Sequence, residues 1–172
     1  MKTLYFITLL SVFNLCLNAQ QKASKTYSNV FSIGAEEGLP LGAFRVGYSF
    51  GTGGSVQIQH RTSSTLAFTL NAGYIHYFLH SNLVFQSPEP GLGLFPVLAG
   101  AKIYMSPGVY GHAQFGVAFS SRTGAGTYIA YSPGVGFEFA KVFDALIKFE
   151  GFSKKYYSKN SIGLWIAYKF HQ

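Results

Sequence analysis

The sequence predicts an all-β fold: an eight-stranded antiparallel up-and-down transmembrane β-barrel, preceded by a cleaved signal peptide. Three observations predict it. The composition is poor in charge (11%) and rich in Phe, Tyr and Gly (17, 12 and 20 residues), whereas an ordinary domain has about 25% charged residues. The stretch Ser161 to Phe170 alternates without a polar interruption: Ile162, Leu164, Ile166, Tyr168 and Phe170 share one face, the period of a strand with one oily side. Finally, the segments between alternating stretches are by turns long and short, as in a barrel with short turns on one side of a membrane and longer loops on the other.

Residues 1–20 read as the signal peptide and residues 21–172 as one barrel domain. Lys2 supplies the positive start, Leu4 to Leu17 a mostly apolar centre, and Ala19 a small residue for cleavage. The run is too short and too polar for a spanning helix, which needs about 20 apolar residues. Cys16 is the only cysteine and falls inside this segment. Asn14 and Leu15 before it are not the small residues a lipidated cysteine wants, so the mature chain is expected to lack thiol chemistry. Without Lys2 the mature chain keeps 13 − 1 = 12 Lys and Arg against 6 Asp and Glu, a net +6. That balance suits an anionic glycolipid or polyanion. No nucleic-acid motif accompanies it, and export argues against such a partner.

Gln21 to Tyr27 is a polar leader. The first strand covers about Asn29 to Glu37. A glycine-rich loop, Gly38 to Gly54, follows; within it Phe44, Val46, Tyr48 and Phe50 still alternate, and they are candidates for extending the neighbouring strands or for a strand of their own. The second strand is Ser55 to His60, and Arg61 to Thr65 is a polar turn. Leu66 to Tyr77 is the third strand, with Leu66, Phe68, Leu70, Ala72 and Tyr74 opposite Thr69, Asn71 and Gly73. A second long loop covers Leu79 to Leu92. The fourth strand is Leu94 to Tyr104, where Pro96 predicts a bulge or a ragged start because it has no N–H to donate. Met105 to Gly108 is a tight turn and Val109 to Ser120 the fifth strand. After the loop Ser121 to Gly126 comes the sixth strand, Thr127 to Phe139, with a break expected at Pro133. Ala140 to Val142 is a very short connection into the seventh strand, Phe143 to Phe152. A lysine-rich loop, Ser153 to Asn160, leads to the eighth. No segment shows a helical period. All short turns fall at one end, and strands of about 9–11 residues suffice to cross a tilted path through lipid.

The face opposite the oily one decides between a soluble and a membrane barrel. It carries mostly Gly, Ser, Thr, Asn and Gln, with four acids (Glu36, Glu138, Asp144, Glu150) against three lysines (Lys102, Lys148, Lys169). Small residues and near-balanced charges suit the narrow, filled interior of a small membrane barrel. These seven are expected to form a structural ionic network in the lumen, because an isolated buried charge is very costly. Lys102, Glu138, Asp144 and Lys169 fall toward the short-turn end, Lys148 and Glu150 further up. Tyr74, Phe95, Phe119, Phe137, Phe139, Phe143, Tyr168 and Phe170 are candidates for aromatic girdles.

With these features the chain resembles the outer membrane protein A-like eight-stranded barrels of Gram-negative bacteria. The resemblance covers nearly the whole mature chain. Its most specific part is the last strand, where Ser161, Gly163, Ile166, Tyr168 and Phe170 match the family's C-terminal assembly signal; His171 and Gln172 follow, where many members end on the aromatic. Gly38-Leu39-Pro40 and Phe149-Glu150-Gly151-Phe152 look like segments of exported barrels of this type. The resemblance implies location in the cell outer membrane, contact with its lipid and lipopolysaccharide, and recognition by the outer-membrane assembly machinery. It implies no activity, since the family includes anchors, adhesins, small pores and a few lipid-modifying enzymes.

The residues give little support to catalysis. His76 and His80 are four apart, but not on a helix. His80-Ser81, and His60 with Ser63 or Ser64, have no carboxylate close in sequence, so no nucleophile, base and orienting group can be assembled. His112 is expected to hydrogen-bond inside the barrel and His171 to lie in a solvated tail. No metal or cofactor motif appears. Lys154, Lys155 and Lys159 with Tyr156 and Tyr157 form a basic-aromatic segment able to meet lipopolysaccharide phosphates. The expected function is a non-enzymatic structural or binding barrel with a side-chain-filled lumen and a possible extracellular ligand at its longer loops. The alternatives are a narrow pore for small solutes and a lipid-modifying enzyme.

Overall fold

The structure, a computed structural model, describes residues 29–80, 91–122, 126–155 and 157–171. The signal segment, the polar leader, Ser81 to Pro90, Tyr156 and Gln172 lie outside the described residues. Eight strands close into one barrel in sequence order: β1 (Asn29–Leu41), β2 (Tyr48–Arg61), β3 (Leu66–Leu79), β4 (Gly91–Tyr104), β5 (Val109–Ser120), β6 (Thr127–Phe139), β7 (Phe143–Lys154) and β8 (Tyr157–His171). A short helix, α1 (Gly42–Gly47), joins β1 to β2.

The register fixes the shape. Pairing runs from Phe31 to Ile58, Leu70, Ala99, Phe115, Tyr131, Gly151, Asn160 and back to β1 at Leu41, so one circuit climbs 41 − 31 = 10 residues. With a rise of about 3.3 Å per residue and about 4.7 Å between strands, that shear over eight strands gives a tilt of about 41°. Each residue then advances about 2.5 Å along the axis. The seam between β1 and β8 pairs continuously from Val30–His171 to Leu41–Asn160, so the last strand closes the sheet and no edge is left for other chains to pair with.

Alternation places the side chains as the period of two demands. Along β8 the odd positions from Ser161 to Lys169 are buried and the even positions from Ile162 to Phe170 are exposed. Most exposed positions of the barrel's oily band are Phe, Ile, Leu, Val, Tyr and Ala, while Lys102, Asp144, Glu150 and Lys148 are buried. A barrel with its charges inside and its oily residues outside is the reverse of a soluble one, and its exterior is built for lipid. Rings follow one another around half of the short-turn rim: Phe137, Phe139, Phe143, Tyr168, Phe170 and Phe31 succeed one another at 4.9 to 6.3 Å between centroids. A second arc, Phe50, Phe78, His76, Tyr74 and Phe95, runs across β2 to β4 near the long-loop end.

Four expectations are corrected. The loop expected over Gly38 to Gly54 is mostly strand, with α1 as its only non-strand part, and Phe50 belongs to β2. The loop expected over Ser153 to Asn160 is also mostly strand, because β7 runs to Lys154 and β8 starts at Tyr157. The polar residues there extend the hairpin past the oily band. Pro96 makes no bulge, and the break expected at Pro133 is confined to its pairing with β7. On β4, Ala72–Val97 and Ile75–Leu94 share one register (72 + 97 = 75 + 94); on β6, Tyr131–Gly151 and Gly134–Lys148 do likewise. Each proline drops bonds to one neighbour and keeps the pairing to the other intact. The one register shift lies between Tyr48 and Phe50, where β2 leaves the helix.

Candidate functional site

The distinctive site is the interior, which the register stacks in four layers from the short-turn end. The first is ionic. Lys102 of β4 reaches across the lumen to Asp144 of β7 at 2.5 Å and lies 3.6 Å from Glu138 of β6. Lys169 of β8 holds Glu138 from the other side at 2.7 Å. Two tyrosine hydroxyls complete the carboxylates: Tyr104 donates to Glu138 at 2.6 Å and Tyr110 to Asp144 at 2.5 Å. Lys102 also sits 4.1 Å over the Tyr110 ring. Both members of the Lys102–Asp144 pair are fully buried, and that is tolerable only with this density of partners.

The second layer is polar. Thr69 bonds His112 at 2.9 Å and Asn71 donates to Ser55 at 3.2 Å. Gln57 Nε2, Gln114 Nε2, His112 Nδ1 and Trp165 Nε1 are buried here with no protein partner. The third layer is ionic again: Lys148 lies 3.0 Å from Glu150 and 3.3 Å from Glu36. Ser161 donates to Glu150, and the Tyr77 hydroxyl meets both. The seven charges thus form two clusters, one of four and one of three, separated by the polar layer.

The fourth layer is apolar. Ile75, Tyr77, Leu92, Leu94, Tyr128 and Phe152 pack into one buried group at the long-loop end. Phe44 of α1 turns down into it, 4.8 Å from the Tyr77 ring and 4.9 Å from the Tyr48 ring. No periodicity could have marked this plug, because a six-residue helix is too short to show one. Above it lies a basic-aromatic surface: Lys159 is 4.8 Å over Tyr157, 5.6 Å over Phe44 and 5.8 Å over Tyr128, and Lys154 is 5.9 Å from Tyr128. Arg122 clamps the Gly91 carbonyl with two nitrogens, at 2.9 and 3.1 Å.

The histidines do not assemble with serine and carboxylate. His60 pairs with Asn29, His76 with the Tyr74 hydroxyl and His80 with the Arg45 carbonyl. Ser63 bonds Thr65 and the backbone of its own turn. The candidate pair His80-Ser81 lies partly outside the described residues. Among the described residues no three His, Cys, Asp or Glu side chains gather to hold a metal ion.

No protein-family model and no curated protein matches the sequence. Solved structures match the fold. The Yersinia pestis outer membrane protein Ail in a phospholipid nanodisc is 15% identical, with a TM-score of 0.61, covering 84% of this chain and all of its own. The N-terminal barrel domain of Pseudomonas aeruginosa OprF is 16% identical, with a TM-score of 0.57, covering 82% and 97%. Ail in complex with the heparin analogue sucrose octasulfate is 18% identical, with a TM-score of 0.53, covering 83% and 97%. The chain is similar to these in architecture: its fold is that of the eight-stranded outer-membrane barrels.

Proposed function

We propose that the protein is a closed barrel of the cell outer membrane, entering it after loss of residues 1–20, that acts as a non-enzymatic binding or structural element and conducts nothing at rest. The observation that carries this reading is the double closure of the lumen, by ion pairs at one end and by the Phe44 plug at the other. An oily exterior with two aromatic arcs supports the location. The continuous β1–β8 seam supports a role for Ser161, Gly163, Ile166, Tyr168 and Phe170 in recognition by the assembly machinery. Purified protein in a planar bilayer should show no stable unitary conductance, and a steady single-channel current would overturn the closed reading. A protein recovered in the soluble periplasmic fraction, with no heat-modifiable band in the outer-membrane fraction, would overturn the location.

The binding surface in this reading is the long-loop mouth, where Lys154 and Lys159 lie over Tyr128 and Tyr157 and Lys155 follows Lys154 in the same hairpin. Lysines beside aromatic faces suit phosphate- or sulfate-bearing glycans, such as lipopolysaccharide or an extracellular polyanion. The heparin analogue bound by the similar barrel Ail is of that chemistry. Replacing all three lysines by glutamine should weaken binding to immobilised heparin and to lipopolysaccharide and flatten its salt dependence; unchanged retention would remove the surface from consideration. One observation favours the narrow-pore alternative: the unpartnered amides and imidazole of the second layer are groups that water in a lumen would satisfy.

A further inference from the structure

We propose that the opposite, short-turn end carries a second site, independent of the long-loop surface: a pocket for a phosphate-type oxyanion with Arg61 as its anchor. A cavity of about 300 Å³ lies between the β2–β3 and β4–β5 turns, lined by Arg61, Ser64, Thr65, Tyr104, Ser106 and Gly108. That is the low end of the range for small-molecule pockets, suited to an ion or a headgroup and not to a large ligand.

The guanidinium is held ready. Its carbon lies 4.0 Å over the Tyr104 ring. A guanidinium held over a ring face still has N–H groups to offer other acceptors. Arg61 Nε is buried and has no hydrogen-bond partner, a cost removed by an oxyanion that draws the side chain toward the cavity. The nearest acid of the ionic layer does not quench it. Glu138 is already shared by Tyr104, Lys169 and Lys102, and no carboxylate lines the cavity.

Ser64 and Ser106 line the cavity from the two turns on either side. One bidentate cation between two hydroxyl donors matches a tetrahedral oxyanion better than a planar carboxylate. The turns are fixed by their own bonds. Ser63 Oγ accepts from the Thr65 and Leu66 amides at 3.2 and 3.0 Å, and the Met105 amide donates to Val109 at 3.0 Å. The two turns that wall the pocket are therefore held in place without a ligand. Facing the short-turn side, it can meet the phosphate of an inner-leaflet phospholipid or free phosphate in the aqueous space.

The test uses the folded barrel in a phosphate-free, sugar-headgroup detergent, with amide shifts of residues 62–65, 105, 106 and 108 followed by NMR. The probes are inorganic phosphate, a short-chain phosphatidylglycerol and acetate. Saturable shifts with phosphate or with the lipid support the site, and whichever probe binds more tightly identifies the source. Arg61→Gln should weaken that binding about tenfold or more, the usual loss for a charge-assisted pair. Arg61→Lys should fall between, having charge without the fork. Ser64→Ala/Ser106→Ala, which leaves the guanidinium stack in place, should cost about threefold and carries the test if the Arg61 variants do not show the heat-modifiable shift of a folded barrel. No saturable shift with phosphate or lipid, equal binding by Arg61→Gln, or acetate binding as tight as phosphate would overturn the proposal.

Discussion

The two ends of the lumen are closed by opposite chemistry. At the short-turn end, Lys102, Asp144, Glu138 and Lys169 are tied to one another and to Tyr104 and Tyr110. At the long-loop end, Phe44 caps a group of Ile, Leu, Tyr and Phe side chains. Charged closure is specific and brittle, because each group has few acceptable partners and an orphaned charge has nowhere to go. Apolar closure is forgiving, because volume and oiliness are nearly all it asks. The short-turn end of the barrel is thus the exacting one, while the long-loop end can vary.

The sharpest way to break this comparison is an isosteric change at the ionic end. Asp144→Asn keeps the shape but leaves the buried Lys102 with Glu138 alone, at 3.6 Å. It should cost about 3 kcal/mol of stability, the lower part of the range for breaking a buried pair. The readout is the urea midpoint of the refolded barrel, followed by fluorescence of Trp165, the single tryptophan, which is buried in the lumen. A loss below about 1 kcal/mol would show that Lys102 is effectively paired or hydrated without Asp144. Lys102→Met/Asp144→Leu should recover only part of the loss, because the Tyr110 hydroxyl is left without its acceptor at about 1–3 kcal/mol.

A smaller effect tests how the tyrosine is placed. Tyr110 and Gly136 face each other directly on β5 and β6, and a Cβ on Gly136 would run into the Tyr110 ring closer than real side chains approach. Gly136→Ala should therefore push the ring off Asp144 and cost about 1–3 kcal/mol. Gly111, one residue along β5, has open space where its Cβ would be, so Gly111→Ala should be near neutral in the same unfolding measurement. Equal losses at the two glycines would mean that ring placement is not what Gly136 provides.

The sequence shows some of this and hides the rest for physical reasons. The two faces of each strand were legible because a period of two survives even where Gly and Ser fill the inner side, as along β8. The start of β2 was not: in Tyr48 to Gly54 five of seven residues are Gly, Ser or Thr, and alternation between small residues carries little contrast. The interior position of the seven charges was legible from their face. Their partition into two clusters was not. It depends on the ten-residue climb of the register, which sets Lys102 of β4 against Asp144 of β7, three strands away. Phe44 looked like one more alternating aromatic; only the closed barrel offers the mouth it fills. Arg61 read as a turn residue for the same reason, since the tyrosine under it and the hydroxyls beside it come from separate hairpins.

The apolar end supplies the smallest predicted loss. Phe44→Leu keeps a large branched side chain over Tyr77 and should cost less than about 1.5 kcal/mol, as volume-conserving apolar swaps do. It sits against Asp144→Asn as a matched pair: each keeps approximate shape, one keeps the chemistry its layer needs and the other does not. If Phe44→Leu costs as much as Asp144→Asn, the cap is a shape-specific element and the contrast between the two ends fails. Phe44→Ala extends the argument to permeability. It removes the ring from the mouth but leaves the Lys102, Asp144, Glu138 and Lys169 cluster in place below, so the barrel should still show no unitary conductance in a planar bilayer. Current through Phe44→Ala alone would place the whole barrier in the apolar cap and reduce the ionic layer to a stabilising role.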